Sequence, residues 1–407
     1  MREHRPRTSP RWAAATALAL VTLLVAVVLR AATEAAPPLR VHLTLPSYVQ
    51  LPGATPALAW PRAGEAAVAV QGVGGIASSA KLAPVPIASV AKVMTAYLTL
   101  LEHPLAPGAN GFTIAITPAE VAEEESRAAL LESVLPVQTG ERLTERQALQ
   151  ALLLPSANNV AALLAVHDAG TVAAFVTRMN ATARALHMIS TTYTDPSGFD
   201  DTTVSTAVDQ LKLARVAMRK PAFAAIVAQR STTLPLVGAI ANYDALLGHD
   251  GYTGIKTGSD RAAGGCFMFA KVVSIAGRRL TVLGVVLGQR EGPLVEAALA
   301  SAQRLGDSVA ASLRLQTLLP AGTRVLSVSN ADGEHSAAAT ARGVKDVGWS
   351  GLRLPVHVTV LAPGATLRAH QPVADVTVGN YGAVPVTVVA ARALGGPSLG
   401  WRLRHLL

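Results

Sequence analysis

Residues 87–96 read Ile-Ala-Ser-Val-Ala-Lys-Val-Met-Thr-Ala. The apolar character continues on nearly all sides as far as Leu101, which predicts a buried central helix over residues 88–101. Ser89 and Lys92 are three positions apart, so on a helix their side chains share one face. A serine attacks an amide or ester only when a base within hydrogen-bond reach takes its proton. The stretch therefore predicts a serine nucleophile, Ser89, beside its base, Lys92.

A second Ser-x-x-Lys sequence joins Ser78 to Lys81. It follows a glycine-rich stretch and precedes Pro84 and Pro86, where a helix cannot continue. Ser89, in contrast, opens its helix just past Pro86, and a helix N-terminus stabilises negative charge near the hydroxyl. We expect the first sequence to form an exposed turn and the second to carry the chemistry.

Another polar motif interrupts a helical stretch over residues 146–166, where the chain reads Pro155-Ser156-Ala157-Asn158-Asn159. The hydroxyl of Ser156 can relay a proton, and the amide of Asn158 can hold a substrate carbonyl. Taken alone, the motif fits helix capping equally well, because serine and asparagine are common caps.

The third motif is Gly254-Ile255-Lys256-Thr257-Gly258. Lys256 offers a charge, Thr257 offers a donor, and Gly258 lets a substrate backbone approach closely. A strand end leading into a turn is the simpler interpretation. Only seven of the 35 basic residues are lysines, and two of them lie in these motifs. Arginine stays protonated and cannot act as a base, whereas a buried lysine can lose its proton.

The region around these motifs mixes strands and helices. A strand is expected at residues 66–73, and residues 265–274 and 280–288 predict a hairpin with its turn at 276–278. Helices are expected at residues 207–219, 221–229 and 294–313. Beyond residue 314 the chain turns Val-rich, and short strands of a separate β domain are expected at residues 356–361, 373–378 and 384–390.

The N-terminus carries a basic flank followed by an uncharged stretch at residues 12–29, closed by Arg30. The stretch is close to the length of a membrane span, and the basic flank favours the cytoplasmic side. We expect a cytoplasmic tail at residues 1–11, a transmembrane anchor at 12–29 and a linker at 30–56. A signal sequence cleaved after an alanine near Ala32 or Ala36 is the alternative.

Composition excludes several classes of protein. The net charge of +9 lacks a long basic run outside the N-terminus, so an anionic membrane or wall polymer explains it better than nucleic acid. Cys266 is the only cysteine, so no internal disulfide can form, and its apolar neighbours favour a core thiol. The ten histidines lack an HExxH spacing, and we expect neither a metal nor a cofactor.

The three motifs occur in the order of the penicillin-recognising serine enzymes: Ser-x-x-Lys, then Ser-x-Asn, then Lys-Thr-Gly. Over residues 57–313 the chain resembles the serine D-alanyl-D-alanine carboxypeptidases. The resemblance lies in residues 87–96, in Leu-Leu-Leu-Pro-Ser-Ala-Asn-Asn at 152–159, in Thr-Asp-Pro-Ser-Gly-Phe-Asp-Asp at 194–201, and in residues 254–258.

The resemblance implies an α/β (α+β) catalytic domain of the β-lactamase/transpeptidase type at residues 57–313, with an antiparallel sheet flanked by helices. It implies a small all-β accessory domain at residues 314–407. Ser89 would be the acylated nucleophile and Lys92 its base. Ser156 would assist proton transfer, and Asn158 would hold the substrate.

The same resemblance implies that Lys256 and Thr257 bind the substrate's terminal carboxylate. Gly258 would leave room for the substrate, and the N–H groups of Ser89 and Ser259 would form the oxyanion hole. The chain departs from the common family pattern at Asn159 and after residue 258.

The activity expected from the resemblance is removal of the terminal D-Ala from peptidoglycan stem peptides through an acyl-enzyme. The stem peptide ending in D-Ala-D-Ala, β-lactams and the cytoplasmic membrane would be its partners, with the catalytic domain on the extracytoplasmic side. A related DD-endopeptidase or β-lactamase, and an inactive peptidoglycan-binding scaffold, are the alternatives.

Overall fold

The chain folds as two units that interleave along the sequence. The computed structural model describes residues 10–361, 364–379 and 384–406. The central unit contains Leu51–Leu315 and Val347–Leu352. The terminal unit contains the described residues up to Gln50 together with Gln316–Asp346 and those from Arg353 onward.

Eight of the ten helices among the described residues lie in the central unit, and the first and the last lie in the terminal unit. The described residues form α1 (Pro10–Thr33), α2 (Lys92–Glu102), α3 (Pro118–Ala129), α4 (Glu145–Leu153), α5 (Asn158–Ala169), α6 (Val172–Ala185), α7 (Ala207–Ala217), α8 (Pro221–Val227), α9 (Leu294–Ser312) and α10 (Leu399–Arg404).

Strands occur in both units. They are β1 (Arg40–Leu43), β2 (Tyr48–Gln50), β3 (Glu65–Val70), β4 (Ala77–Ser78), β5 (Val85–Pro86), β6 (Thr113–Ala115), β7 (Arg142–Thr144), β8 (Val204–Ser205), β9 (Ser231–Leu234), β10 (Gly238–Ala241), β11 (Tyr252–Asp260), β12 (Gly264–Ile275), β13 (Arg278–Gln289), β14 (Arg314–Leu319), β15 (Arg324–Ser329), β16 (His335–Thr340), β17 (Val344–Gly348), β18 (Arg353–Val360), β19 (Pro372–Val378) and β20 (Val386–Ala390).

The central sheet is antiparallel and has the strand order β11-β12-β13-β3-β4. Its longest hairpin joins β12 to β13, as predicted, with Ile275 paired to Arg278. The two residues between them, Ala276 and Gly277, both have positive φ. Two successive positive φ angles give a tight turn whose twist matches that of the strands. The antiparallel sheet with helices around it confirms the expected fold class.

Alternate residues of β12 enter two different cores. Met268 and Ala270 belong to the main hydrophobic cluster, which also contains residues of α2, α5 and α7. Phe269 points to the opposite face and packs against α9. A Cβ built on Gly306 of α9 would lie 3.2 Å from its ring. The strand is therefore buried on both faces, between α9 and the helices that carry the first two motifs.

The helix expected at residues 88–101 is present, but its first turn is tighter than an α-helix. A 3-10 turn at Ala88–Ala91 leads into α2. Eight residues of α2 are buried, including Lys92, Thr95 and Thr99, so the helix crosses the interior of the central unit. The helical stretch over 146–166 is broken at Pro155, as expected, into α4 and α5.

The terminal unit is built on a seven-stranded sheet with the order β1-β15-β16-β20-β19-β18-β2. Its last three strands in the sequence coincide with the three Val-rich segments. Two features differ from the expectations. Residues 30–56, expected as a linker, contain both edge strands of this sheet, and residues 314–407, expected as all-β, end in helix α10. The edge strands are short, and their partners are distant in sequence, so no local pattern revealed them.

Helix α1 contains the apolar N-terminal stretch. Residues 12–33 are long and apolar enough to cross a membrane, and a signal sequence would have the same properties. Arg402 of α10 donates hydrogen bonds to the carbonyls of Ala31 (3.3 Å) and Ala32 (3.4 Å) at the end of α1. Most of the expected cytoplasmic tail, residues 1–9, lies outside the described residues.

Candidate active site

The nucleophile candidate lies beside the base candidate. Lys92 Nζ is 2.7 Å from Ser89 Oγ and donates a hydrogen bond to the carbonyl of Ser197 at 3.0 Å. Lys92 is fully buried, whereas Ser89 is partly exposed. The preceding residue, Ala88, has a φ of 45°. A non-glycine residue held in this region is strained, and such strain is concentrated at functional sites.

Burial and a second cation both favour the neutral form of Lys92. Desolvation lowers the pKa of Lys92 well below 10.5, and the nearby charge of Lys256 lowers it further. Desolvation also lowers the pKa of Lys256 to about 7, against the opposing influence of Asp244. A neutral amine 2.7 Å from a hydroxyl can accept its proton, as a general base must.

Ser156 occupies the break between α4 and α5. It is buried, has a φ of 68°, and its Oγ has no hydrogen-bond partner among the described residues. Pro155 explains the break, because a proline cannot donate the next helical hydrogen bond. A buried hydroxyl without a partner is costly, so the site gains when a substrate or water supplies one.

Asn158 is held by a residue that the sequence did not single out. Its Nδ2 donates to Glu132 Oε2 at 2.6 Å, and Glu132 is paired with Arg127 at 3.0 Å. Asn158 Oδ1 is buried and has no partner in the described part of the chain. One hydrogen of Nδ2 is thus committed to Glu132, and the other remains for a substrate carbonyl.

Strand β11 brings the third motif against the nucleophile. Lys256 and Thr257 are buried, and Ser259 is exposed where β11 pairs with β12. A Cβ on Gly258 would lie 2.8 Å from the backbone nitrogen of Ser89. Only glycine allows β11 to come this close, so the backbone N–H of Ser89 lies directly against the end of β11.

The loop at residues 194–201 places a carbonyl oxygen against the base candidate, Lys92. The carboxylate of Asp195 accepts hydrogen bonds from the backbone nitrogens of Ser197 (3.0 Å) and Phe199 (3.1 Å). These bonds fold the loop so that the carbonyl of Ser197 reaches Lys92. Gly198 has a φ of 77°, and a Cβ there would lie 1.9 Å from the carbonyl oxygen of Ala88.

A cavity of about 370 Å³ gathers the exposed faces of the three motifs. It is lined by Ser89, Ser133, Ser156, Tyr243, Thr257, Gly258, Ser259, Val295 and Glu296. Lys92, Asn158 and Lys256 are buried close to this wall rather than forming it. A cavity of this volume, with a few polar groups in its wall, is of the size that binds small ligands.

The competing serine is elsewhere. Ser78 lies in β4, where it pairs with Ala67, so the expected exposed turn is wrong at this residue. The carbonyl of Lys81 accepts from Ser79 at 3.5 Å. β4 forms because the edge of β3 offers unpaired backbone groups, a long-range effect that the glycines and prolines around Ser78 did not reveal.

Asp244 was also missed. Its side chain is buried, its Oδ2 has no partner in the described ranges, and desolvation raises its pKa to about 6. It acts electrostatically on Lys256. Cys266, in contrast, is a buried core thiol as expected, and desolvation raises its pKa to about 12.

The comparisons with known proteins agree with this geometry. A family model described as D-alanyl-D-alanine carboxypeptidase matches residues 63–291, more than half of the chain. A D-alanyl-D-alanine carboxypeptidase of Mycobacterium tuberculosis is 36% identical over 204 residues, 48% of this chain and 65% of that protein, just under two thirds of its length. A D-alanyl-D-alanine endopeptidase of Pseudomonas aeruginosa is 29% identical over 279 residues, 65% of this chain and 81% of that one.

Solved structures show the same fold. The Streptomyces K15 DD-transpeptidase superposes with a TM-score of 0.54 at 26% identity, over 63% of this chain and 98% of that one. A D-alanyl-D-alanine carboxypeptidase of Francisella tularensis superposes over 84% of this chain and 96% of that one, with a TM-score of 0.59 at 20% identity. With the family model covering most of the central unit, the chain belongs to the D-alanyl-D-alanine carboxypeptidase family.

Proposed function

We propose that the protein is a serine D-alanyl-D-alanine carboxypeptidase that removes the terminal D-Ala from peptidoglycan stem peptides. The observation that carries the proposal is the 2.7 Å contact between Ser89 Oγ and a fully buried Lys92 Nζ. Family membership supplies the substrate class, and the single cavity shared by the three motifs is consistent with it.

Acylation begins when neutral Lys92 takes the proton of Ser89 Oγ. The oxygen attacks the carbonyl carbon of the penultimate D-Ala, and the resulting oxyanion is stabilised by the N–H groups of Ser89 and Ser259. The C–N bond then breaks. The departing D-Ala takes a proton that Lys92 passes on through the hydroxyl of Ser156, which leaves an ester on Ser89.

Deacylation reverses these roles. A water molecule gives its proton to Lys92 and attacks the ester carbonyl, and Ser89 recovers its proton as the ester breaks.

Lys256 and Thr257 bind the terminal carboxylate of the incoming peptide, and Asn158 holds its backbone carbonyl. Penicillins and other β-lactams, which present a carboxylate and a strained amide, would acylate Ser89 in the same way.

Product analysis on a pentapeptide stem ending in D-Ala-D-Ala tests the proposal. We expect loss of one D-Ala, detected by mass spectrometry, and no product from the Ser89→Ala variant. The endopeptidase is the second candidate, because the relatives include proteins of that name. Cleavage of cross-linked dimers without release of D-Ala from the pentapeptide would favour it. An inactive scaffold would give neither product.

Gly258 provides a geometric test of the oxyanion hole. We expect Gly258→Ala to lower the rate of acylation by roughly 10²-fold or more, the scale lost with one oxyanion-hole donor, because the new Cβ displaces the N–H of Ser89. Stopped-flow acylation with a chromogenic cephalosporin measures this rate. Gly395→Ala is a matched control, since Gly395, like Gly258, has no positive φ, and a Cβ there meets no atom within 4 Å. Equal rates for Gly258→Ala and the native protein would contradict this role.

The two lysines predict a bell-shaped pH profile of kcat/KM. The neutral fraction of Lys92 grows as the pH rises through its lowered pKa, which gives the rising limb. Lys256, with a pKa of about 7, loses its charge above neutrality, so the affinity for the substrate carboxylate falls there. We expect Lys256→Arg to remove the falling limb, because arginine stays charged. Lys345→Arg, at an exposed residue, is the control, and a falling limb that persists in Lys256→Arg would refute the assignment.

We further propose that α1 stays attached as a single-pass anchor and that the central unit lies on the extracytoplasmic side, where peptidoglycan is found. The exposed apolar side chains of α1 and the basic residues before it support this orientation. N-terminal sequencing of protein purified from its own host tests the proposal. A mature chain starting beyond Arg30 would contradict it.

A further inference from the structure

A second cluster of reactive side chains lies outside the cavity. It contains His103, His167 and Asp168, and we call it the His-Asp cluster. One ligand atom from each residue lies within 4.8 Å of the other two. His167 Nδ1 is 2.9 Å and His103 Nε2 is 3.4 Å from the same oxygen, Asp168 Oδ1. The Asp168 carboxylate is fully buried, and the two imidazoles are about one-third exposed.

Two of the three separations are close to the edges of a metal coordination shell, and the third, between the two imidazole nitrogens, lies within 4.8 Å. In tetrahedral zinc sites, ligand atoms about 2.0–2.1 Å from the metal are about 3.3 Å apart. The two nitrogen–oxygen distances of 2.9 and 3.4 Å bracket that value. Two imidazole nitrogens and one carboxylate oxygen are three ligands of the kind that zinc sites use, with a fourth position left for water.

The surrounding residues fix these ligands in place. Thr99 donates a hydrogen bond of 2.6 Å to the second oxygen of Asp168, Oδ2, which leaves Oδ1 facing the imidazoles. Phe112 stacks on the ring of His167 with centroids 3.9 Å apart and meets His103 edge-on at 4.8 Å. Outer-shell contacts of this kind orient metal ligands and are part of a built site.

Glu145 gives an independent indication that a cation binds here. It is buried at the start of α4, and its Oε1 has no hydrogen-bond partner among the residues that the structure describes. Its carboxylate interacts electrostatically with Asp168 and His167. Two carboxylates that interact in this way repel each other when both are charged, and a cation between the imidazoles and Asp168 would offset that repulsion.

The nearby cations are otherwise engaged. Arg178 forms an ion pair with Glu102 and donates to the backbone carbonyl of Asp168 at 2.7 Å, rather than to its side chain. Arg146 donates to the backbone carbonyl of Ala109 at 2.6 Å. Neither guanidinium neutralises the carboxylates of Asp168 and Glu145 through a direct hydrogen bond.

Two helices connect the His-Asp cluster to the cavity. α2 begins at Lys92 and ends at Glu102, next to His103. α5 begins at Asn158 and ends at Ala169, just after His167 and Asp168. The two helices that carry the first two motifs thus start at the cavity and finish at the cluster, about 16 Å away along α2 at 1.5 Å per residue.

We propose that His103, His167 and Asp168 bind one divalent transition-metal ion of the zinc type, which ties the ends of α2 and α5 together. Imidazole ligands favour zinc, copper and nickel over magnesium and calcium. The ion is structural, because it lies at the far end of both helices from Ser89. The site requires no turnover, so its test is independent of the proposed function.

The test uses the full-length, tag-free protein in detergent, stripped with EDTA and then freed of it. Isothermal titration with ZnCl2 should give about one high-affinity site per chain, whereas MgCl2 should give none. In His103→Ala/His167→Ala we expect Zn²⁺ affinity at least about 100-fold weaker. His357→Ala, at an exposed histidine of the terminal unit, should bind as the native protein does. Equal affinity in the native protein and the double variant, or no binding by the native protein, would overturn the proposal.

If the His103→Ala/His167→Ala variant folds poorly, a second measurement with a different variant tests the same site. Asp168→Asn keeps an oxygen that can accept from Thr99 but loses the charge. We expect Zn²⁺ to raise the melting temperature of the native protein, because a ligand that binds only the folded state stabilises it, and to raise that of Asp168→Asn much less. An equal rise in the two proteins would show that Zn²⁺ binds elsewhere.

Discussion

We expect the substitution of Ser89 by alanine to abolish covalent labelling of the protein by a fluorescent penicillin. The reason is chemical: Ser89 Oγ is the hydroxyl that lies 2.7 Å from a buried lysine, and alanine has no atom to form the ester. Labelling is measured by in-gel fluorescence after denaturation, which retains only covalent adducts. The fold should survive, because the change removes one partly exposed oxygen.

Ser78→Ala is the matched control, since it removes the serine of the other Ser-x-x-Lys sequence. Ser78 pairs with Ala67 through the backbone of β4, which alanine preserves, so this variant should label as strongly as the native protein. The opposite pattern, with labelling retained in Ser89→Ala and lost in Ser78→Ala, would reverse the site assignment.

Lys92→Arg should lower the rate of acylation at least about 10²-fold, the scale lost with a general base. Burial and the charge of Lys256 lower the pKa of Lys92, so the lysine supplies a neutral amine. An arginine stays protonated even when buried and cannot take the proton of Ser89. Stopped-flow acylation with a chromogenic β-lactam measures the rate, and thermal unfolding reports whether the fold survives.

Lys81→Arg serves as the control for this variant, because Lys81 is exposed and belongs to the other Ser-x-x-Lys sequence, which begins at Ser78. Its acylation rate should equal that of the native protein. A near-native rate in Lys92→Arg would mean that Lys92 is only an electrostatic or structural partner. The base would then have to be sought elsewhere, with Ser156 the first candidate because its buried Oγ is otherwise without a partner.

Much of the central unit could be predicted because its signals are local. Two strand candidates joined by a short turn predicted the β12–β13 hairpin, and the apolar stretch after Ser89 predicted α2. The edge strands of the terminal unit could not be predicted in this way. β1 and β2 are four and three residues long, and they are strands only because distant strands offer them partners.

The same distinction holds for the site. Ser89 and Lys92 are neighbours on one helical turn, so spacing alone brings them together. Glu132 and Asp244 contact or influence the site from loops, and single carboxylates in loops carry no signal of their own. A sequence shows that a carboxylate is present, but only the folded chain shows that it is buried next to a lysine or an asparagine.

The pairing of β1 with β15 has a consequence for the order of folding during synthesis. The two strands are about 280 residues apart, with Leu43 opposite Leu326. At roughly 5–20 residues per second, β1 waits on the order of 15–60 s after leaving the ribosome before its partner exists. Closing so long a loop costs about 5 kcal/mol of chain entropy. Most of the central unit has folded by then, which shortens the free chain between the two strands and lowers this cost. If translation stops before β15, the central unit is therefore mostly folded, but β1 and β2, which follow α1 in the sequence, have no partner strands.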